Sequence, residues 1–410
     1  MSNHRLPSFL ILPPPPVPST PAALKAAYQP AFIAVLTTLA SIKALNPTVL
    51  QVYVPCPRQY ALHEPRSQLF EEIESLVSGV YSLSCIVSAH NAIEPDGSGG
   101  VDIRVILLDH DSLKESHGRY VSSPFPLPAT GPIIDIQTLA LTRRNWNYIF
   151  STNGEKGQEV LSKYLGVAAH LNPPVHGEIC KAPGGISLMS SVTSKNQTTR
   201  QGSAIHTTVA VGGTFDHLHA GHKLLLTATA LLLQPSAPSM DVERRLVIGI
   251  TGDQLLKNKK YPEYLQSWKQ RQEDVVDFLS TILFFAQSEK QELETHSFDE
   301  PVVNGKAIHT RLKQARITIE CVEIQDPFGP TITDETVSAL VVSGETRSGG
   351  AAVNTKREEK GWKPLEVFEV DVLDALEDKP SVTETEEFAA KISSTAIRKR
   401  KAESAHKPSL

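Results

Sequence analysis

Cysteine is scarce in this chain of 410 residues: four stand at positions 56, 85, 180 and 321, far apart and without a CxxC pair. That spacing excludes a disulfide framework and a cysteine-ligated zinc site, and it suits a reducing, cytoplasmic compartment. No basic excess is present either. The formal charge is −5, so no overall positive field points to a nucleic-acid partner. The basic run from Arg398 to Lys401 and the acidic stretch over 371–387 read as solvated surface. Long apolar runs are missing too. Phe9 to Leu12 is stopped by four prolines from Pro13, a poor signal sequence. Residues 27–42 are interrupted by Gln29, Pro30, Thr37, Thr38 and Ser41, short of the roughly 18–20 apolar residues of a membrane span. A buried helix is expected there.

What is present suits ordinary folded domains. Hydrophobic residues make up 40% and charged residues 21%, and the length favours two domains. Over 1–170 the pattern alternates: helix at 30–45, strand at 50–55, amphipathic helix at 67–80, strands at 83–88, 101–108 and 133–136, a strand near 146–150, and a helix at 155–165. This predicts a smaller α/β domain with no glycine-rich phosphate loop and no clustered ligands. Residues 171–205 are rich in Pro, Gly, Ser, Thr and Gln, the composition of a flexible linker. A second α/β domain is expected over 206–401, with a short tail at 402–410. Its strands fall at 209–211, 245–250, 317–324, 339–342 and 365–372, with helices between them. Strands separated by helices predict parallel pairing and ligands at the carboxyl ends of the strands. The polar segment 288–305 reads as a surface insertion.

The richest segment lies between the first strand and first helix of the second domain, where Gly212, Gly213, Thr214, Phe215, Asp216, His217, Leu218, His219, Ala220, Gly221 and His222 follow one another. A strand-to-helix turn gathers phosphate on backbone amides and the helix dipole. Two glycines let the backbone turn sharply and approach a ligand, and Thr214 adds a hydroxyl. His219 and His222, three apart at a helix start, can face one ligand. A phosphate acceptor is already an anion and needs no strong base to attack phosphorus. The chemistry needs alignment and donors for the charge on a departing pyrophosphate. Two other readings stand beside this one. His217, His219 and His222 would make a metal site only with a further Cys or Glu, and glycine and histidine also serve as turn and cap residues.

This segment resembles the HxGH signature of the nucleotidyltransferase superfamily, and in its extended form the phosphopantetheine adenylyltransferases of eukaryotes and archaea. The resemblance implies a Rossmann-like domain that transfers AMP from ATP, with its Mg²⁺, to 4′-phosphopantetheine, giving 3′-dephospho-coenzyme A. Three further stretches fit it. Ile392 is followed by Ser393, Ser394, Thr395 and, one turn on, Arg398, resembling the ISSTxxR element that contacts the triphosphate. Lys257, Lys259 and Lys260 follow a strand; a lysine there bridges the two phosphates in the resembling enzymes, with Lys259 preferred and Lys257 second. Ser343, Glu345, Thr346, Gly349, Gly350, Asn354 and Arg357 resemble a VSxET…GG…NxxR stretch, implying adenine and ribose contacts and a phosphate contact from Arg357. A GxxxxGK[ST] loop is absent, so the animal arrangement with a fused kinase is not expected. The fungal, monofunctional arrangement fits better, with an N-terminal domain that could bind other enzymes of coenzyme A biosynthesis. The rivals are a nicotinamide mononucleotide adenylyltransferase and a non-catalytic scaffold.

Overall fold

Each half of the chain builds its own sheet in the computed structural model, which describes residues 6–56, 65–109, 131–186, 204–235, 242–285, 292–302, 305–371, 373 and 393–405. The first sheet contains β1 (Ser8–Ile11), β2 (Thr48–Pro55), β3 (Val101–Asp109), β4 (Ile133–Asp135), β5 (Asn145–Thr152) and β6 (His176–Ala182), in the order β4-β3-β2-β1-β5-β6. All its pairings are parallel. Helices α1 (Pro21–Ser41), α2 (Phe70–His90), α3 (Ile136–Thr142) and α4 (Glu155–Ala168) supply the crossovers. The chain leaves β1 in one direction and resumes on its other side at β5, so a switch point lies between these strands. The turn after β1 is Pro13 to Pro16. Four prolines carry no amide N–H, so the position where such sheets usually hold phosphate lacks its donors.

The second sheet has the order β13-β12-β7-β8-β11-β10-β9. Its members are β7 (Thr208–Gly213), β8 (Arg244–Thr251), β9 (Leu293–Val302), β10 (Gly305–Leu312), β11 (Ile317–Ile324), β12 (Ala339–Ser343) and β13 (Glu366–Val370). Around them lie α5 (Ala220–Leu232), α6 (Trp268–Leu283), α7 (Arg347–Glu359) and α8 (Ser394–Ala405). Five strands pair in parallel as expected. The two at one edge, β9 and β10, pair antiparallel. The expected surface insertion at 288–305 therefore contains strand β9. Its polarity reflects an edge strand whose side chains from Thr295 to Phe298 are half-buried or exposed.

Three other expectations change. Residues 83–88 are the last turns of α2, not a strand. Thirteen residues of α2 are buried, because it lies between α1 and α5, and a buried apolar run has no period that separates helix from strand. The linker expected from 171 instead contributes β6, an edge strand whose largely exposed side chains hid it. The tail expected from 402 begins as helix, since α8 continues to Ala405 and buries Ala402. Helix α1 is long and apolar enough to cross a membrane by composition, but eight of its residues, Phe32 and Leu36 among them, are buried in the protein core. The larger of two buried apolar clusters among the described residues is continuous across both halves. It runs from Phe9 and Leu50 through α2 and α5 to Leu246 and Ile319, joining both sheets.

Candidate active site

Strand β7 pairs with β8 on one side and β12 on the other, and the crevice at this second switch point is a cleft of about 860 Å³. Its floor is the turn after β7. Gly213 has no room for a side chain: a Cβ there would sit 3.0 Å from the Phe215 ring, which is fully buried beneath the turn. Phe215 and His217 take positive φ values of 52° and 46°, a costly conformation for non-glycine residues. Hydrogen bonds from α6 and the loop before it hold it. The His217 backbone N–H donates to Gln266 Oε1 at 2.6 Å, and its Nε2 contacts Tyr264 O at 2.8 Å. Arg271 of α6, completely buried, donates to Thr214 O at 2.7 Å, Thr251 O at 2.8 Å and Asp253 Oδ1 at 2.6 Å.

The turn delivers His219 as the cap of α5 and His222 one turn later. Their rings stack with centroids 3.9 Å apart. Gly221 lies between them because a Cβ would come within 3.3 Å of the His219 ring. Both Nδ1 atoms are sealed from solvent and have no protein partner. A buried polar atom without a partner is costly, and such atoms mark places where a ligand completes the bonding. Burial, reinforced by the Lys223 ammonium and the neighbouring His217, pushes His219 down to about 3. Burial, then the neighbouring His219, His217 and Lys223, hold His222 well below the usual imidazole range. Both rings are therefore neutral at physiological pH in the free protein.

The opposite wall is the start of α8. Ser393, Ser394 and Thr395 line the cleft, and Ser393 Oγ caps the helix by accepting from Ala396 N at 3.3 Å. Arg398 also lines the cleft but is tied down: it pairs with the fully buried Asp216 and donates to Lys260 O at 2.9 Å and Thr395 Oγ1 at 3.1 Å. Ser394 Oγ donates to Asp216 O at 2.7 Å. The two sequence motifs, 170 or more positions apart, thus lock together through Asp216 rather than each facing the ligand separately. Lys259 lines the cleft, and Lys257 is not part of its lining.

Of the third stretch, Ser343, Thr346, Gly349 and Gly350 line the cleft. The Glu345 side chain lies outside the described residues. Arg357 and Asn354 do not reach the cleft. Arg357 is 1% exposed and donates to five backbone carbonyls, those of Thr331, Asp334, Glu335, Val337 and Lys363. Asn354 exchanges two hydrogen bonds with the backbone of Leu365. The phosphate contact expected of Arg357 is corrected to a clamp on the loop before β12. Sequence reasoning missed Arg271 and the 325–331 loop, whose Asp326, Phe328 and Thr331 form another wall.

With the cleft in view, the comparisons with known proteins fall into two parts. Residues 1–188 match a domain of unknown function (DUF8446), and residues 210–400 match the cytidylyltransferase-like family. An uncharacterised protein of Schizosaccharomyces pombe is 31% identical over 64% of this chain and 67% of its own length. The phosphopantetheine adenylyltransferase of Saccharomyces cerevisiae is 33% identical over 46% of this chain, which spans about half (47%) of that relative. That of Pyrococcus abyssi is 32% identical over 42% of this chain and 84% of its own length. The chain belongs to the cytidylyltransferase-like nucleotidyltransferases, in the branch of the phosphopantetheine adenylyltransferases. As a nucleotidyltransferase it carries the superfamily's HxGH histidines at 219 and 222, on a parallel sheet, at the carboxyl end of the central strand.

Proposed function

We propose that this nucleotidyltransferase moves AMP from Mg·ATP to 4′-phosphopantetheine, giving 3′-dephospho-coenzyme A and pyrophosphate in a reducing, cytoplasmic setting. The observation that carries the reading is the stacked, neutral His219–His222 pair, whose buried Nδ1 atoms lack protein partners beside a glycine turn. An oxygen of the acceptor phosphate attacks the α-phosphorus, the bond to the pyrophosphate oxygen breaks, and pyrophosphate leaves; a Mg²⁺ ion brought with ATP would offset its charge. No proton has to be removed from the nucleophile. Catalysis is alignment plus compensation of charge, which fixed N–H donors in a shielded cleft do well.

In this reading the amides of Gly212 and Gly213 and the hydroxyl of Thr214 meet phosphate oxygens, and His219 and His222 donate to them. Lys259 bridges the two charged groups. The start of α8, at Ser393, Ser394 and Thr395, receives the triphosphate through its amides, as helix N-termini do. Ser343, Thr346 and the Gly349–Gly350 turn are left for the adenosine. Leu255, Ile324 and Phe328 make an apolar strip along the cleft, suited to a thin uncharged arm behind the acceptor phosphate.

Pyrophosphate release, measured side by side with 4′-phosphopantetheine, nicotinamide mononucleotide and no acceptor, tests the proposal. Release with 4′-phosphopantetheine alone is expected. Release with nicotinamide mononucleotide instead would keep the chemistry and overturn the substrate. ATP binding without any transfer would favour a scaffold.

A further inference from the structure

The N-terminal half touches three helices at or behind the cleft, α5, α6 and α8. Asp102 of β3 pairs with Lys223 of α5, the residue directly after His222, and Ile103 O accepts from the same ammonium at 3.0 Å. Two residues on, Arg104 donates to Asp102 at 2.7 Å and reaches across to α6, bonding Asp277 Oδ2 at 2.6 Å and Thr281 Oγ1 at 2.6 Å. Helix α6 is the element whose Arg271 holds the turn at Thr214. In the turn just before β3, Glu94 pairs with Arg400 at 2.7 Å and Asp96 with Lys401 at 3.1 Å, and both cations belong to α8. Finally Glu74 of α2 accepts from Asp371 N at 3.1 Å, and Asp371 lines the cleft.

Apolar packing between α2 and α5 would hold the halves together without any of these bonds. It would not fix how far α5 slides along its axis, because hydrophobic contact is non-directional. Lys223 is 5% exposed and Arg104 8%. A buried ion pair adds little net stability over well-packed apolar residues, whereas its directed bonds do set register. Here the register that matters is that of His219, His222 and the start of α8.

We propose that the segment from Glu94 to Arg104 is a brace by which the N-terminal domain sets the positions of α5, α6 and α8 around the nucleotide, with Asp102 as its chief positioning residue. The N-terminal half is then a working part of the nucleotide site, although it contributes no group to it. The proposal rests on the adenylyl-transfer reading for one of its two readouts, turnover. The other, ATP affinity, does not depend on the acceptor.

The test uses the full chain carrying Asp102→Leu together with Lys223→Met, which replaces the central ion pair by apolar packing. Thermal melting, ATP affinity by calorimetry and turnover with 4′-phosphopantetheine are measured. A melting temperature near wild type with ATP binding and turnover each reduced about tenfold or more is expected, since sub-ångström misplacement carries that penalty. Wild-type values for both at a wild-type melting temperature would reduce the network to ordinary interdomain contact and overturn the proposal. Should the double variant melt early, Glu94→Gln with Asp96→Asn decides. These side chains are 46% and 30% exposed, so their loss costs little stability, yet ATP affinity should fall several-fold. Unchanged affinity there would overturn the brace. A wild-type protein that binds ATP but never transfers would defeat the adenylyl-transfer reading alone, and ATP affinity would still judge the brace.

Discussion

Arg357 separates a phosphate-binding residue from a structural clamp, and lysine is the substitution that tells them apart. A phosphate contact needs a positive charge within reach, which lysine supplies as a point charge. A clamp needs the planar fork. The guanidinium spreads its donors over five carbonyls at 2.7 to 3.2 Å and lies 5.2 Å from the Trp362 ring. Lysine has three donors on one atom and leaves at least two of those carbonyls without a partner. At about 1–1.5 kcal/mol for each lost bond, Arg357→Lys costs about 2–3 kcal/mol. Arg357→Met removes all five and at the same rate costs about 5–7.5 kcal/mol, beyond the usual range for a single substitution.

Chemical denaturation measures both losses, and the ATP dependence of turnover is read on the folded variants. The expected result is a graded loss of stability, methionine worse than lysine, with the lysine variant's KM for ATP close to wild type. Wild-type stability in both variants, together with a KM for ATP raised only by methionine, would refute the clamp and restore the phosphate contact.

Four further outcomes are expected. His222→Ala should lower kcat by about 10²–10³ with little change in melting, as loss of a transition-state donor does; near-normal pyrophosphate release would remove His222 from the mechanism. Lys259→Ala should reduce kcat/KM by about tenfold or more and Lys257→Ala by less than about twofold, because only Lys259 lines the cleft; equal effects would overturn that assignment. Burial, reinforced by the Asp371 carboxylate, pushes Glu74 up to about 7 from 4.5. Its contribution is therefore fully present below about 4.5 and lost as pH rises through about 7, on the order of 3 kcal/mol in all. Glu74→Gln should flatten the fall of stability between pH 5 and 8, and parallel curves for the two proteins would refute the shift. Turnover should stop in excess chelator and return with Mg²⁺, since the ion would offset the pyrophosphate charge; full activity in chelator would contradict this.

The parts of the site that were legible in the sequence are those where local backbone chemistry is itself the function. Gly212 to His222 and Ser393 to Arg398 lead into helix starts on one cleft, and a sharp strand-to-helix turn restricts its residues one by one. The misreadings arose where a side chain's facing decides its role. Gly350, Val353 and Arg357 form the buried stripe of α7, spaced three and four apart. That period was present in the sequence and places Arg357 inward. The same stripe logic puts Arg271 among Trp268, Val275 and Phe278 on the buried face of α6. An arginine in an apolar stripe was the available sign of a buried hub. Edge strands β6 and β9 were hidden for the opposite reason, since exposed strands lack the apolar alternation that announces a strand. The pairing of Asp102 with Lys223 spans 121 positions and left no local trace on the α5 side.

On the β3 side it did leave one. A central strand of a parallel sheet, covered on both faces, is expected to be apolar nearly throughout. β3 reads Val101, Asp102, Ile103, Arg104, Val105, Ile106, Leu107, Leu108 and ends at Asp109, so Asp102 and Arg104 are charges set within its first half, ahead of an apolar run. Charges there are tolerable only if something beyond the domain pairs them, and the partners are Lys223 and Asp277 of the other half. The two sheets are built alike, each with a switch point beside its central strand, but their turns there differ in a way that divides the labour. Gly212 and Gly213 close β7 with backbone that carries N–H groups and no side chain, whereas Pro13 to Pro16 have no N–H to offer. The N-terminal sheet, whose turn after β1 is built of prolines, places polar side chains at the amino end of β3, where they grip α5 and α6 of the other sheet.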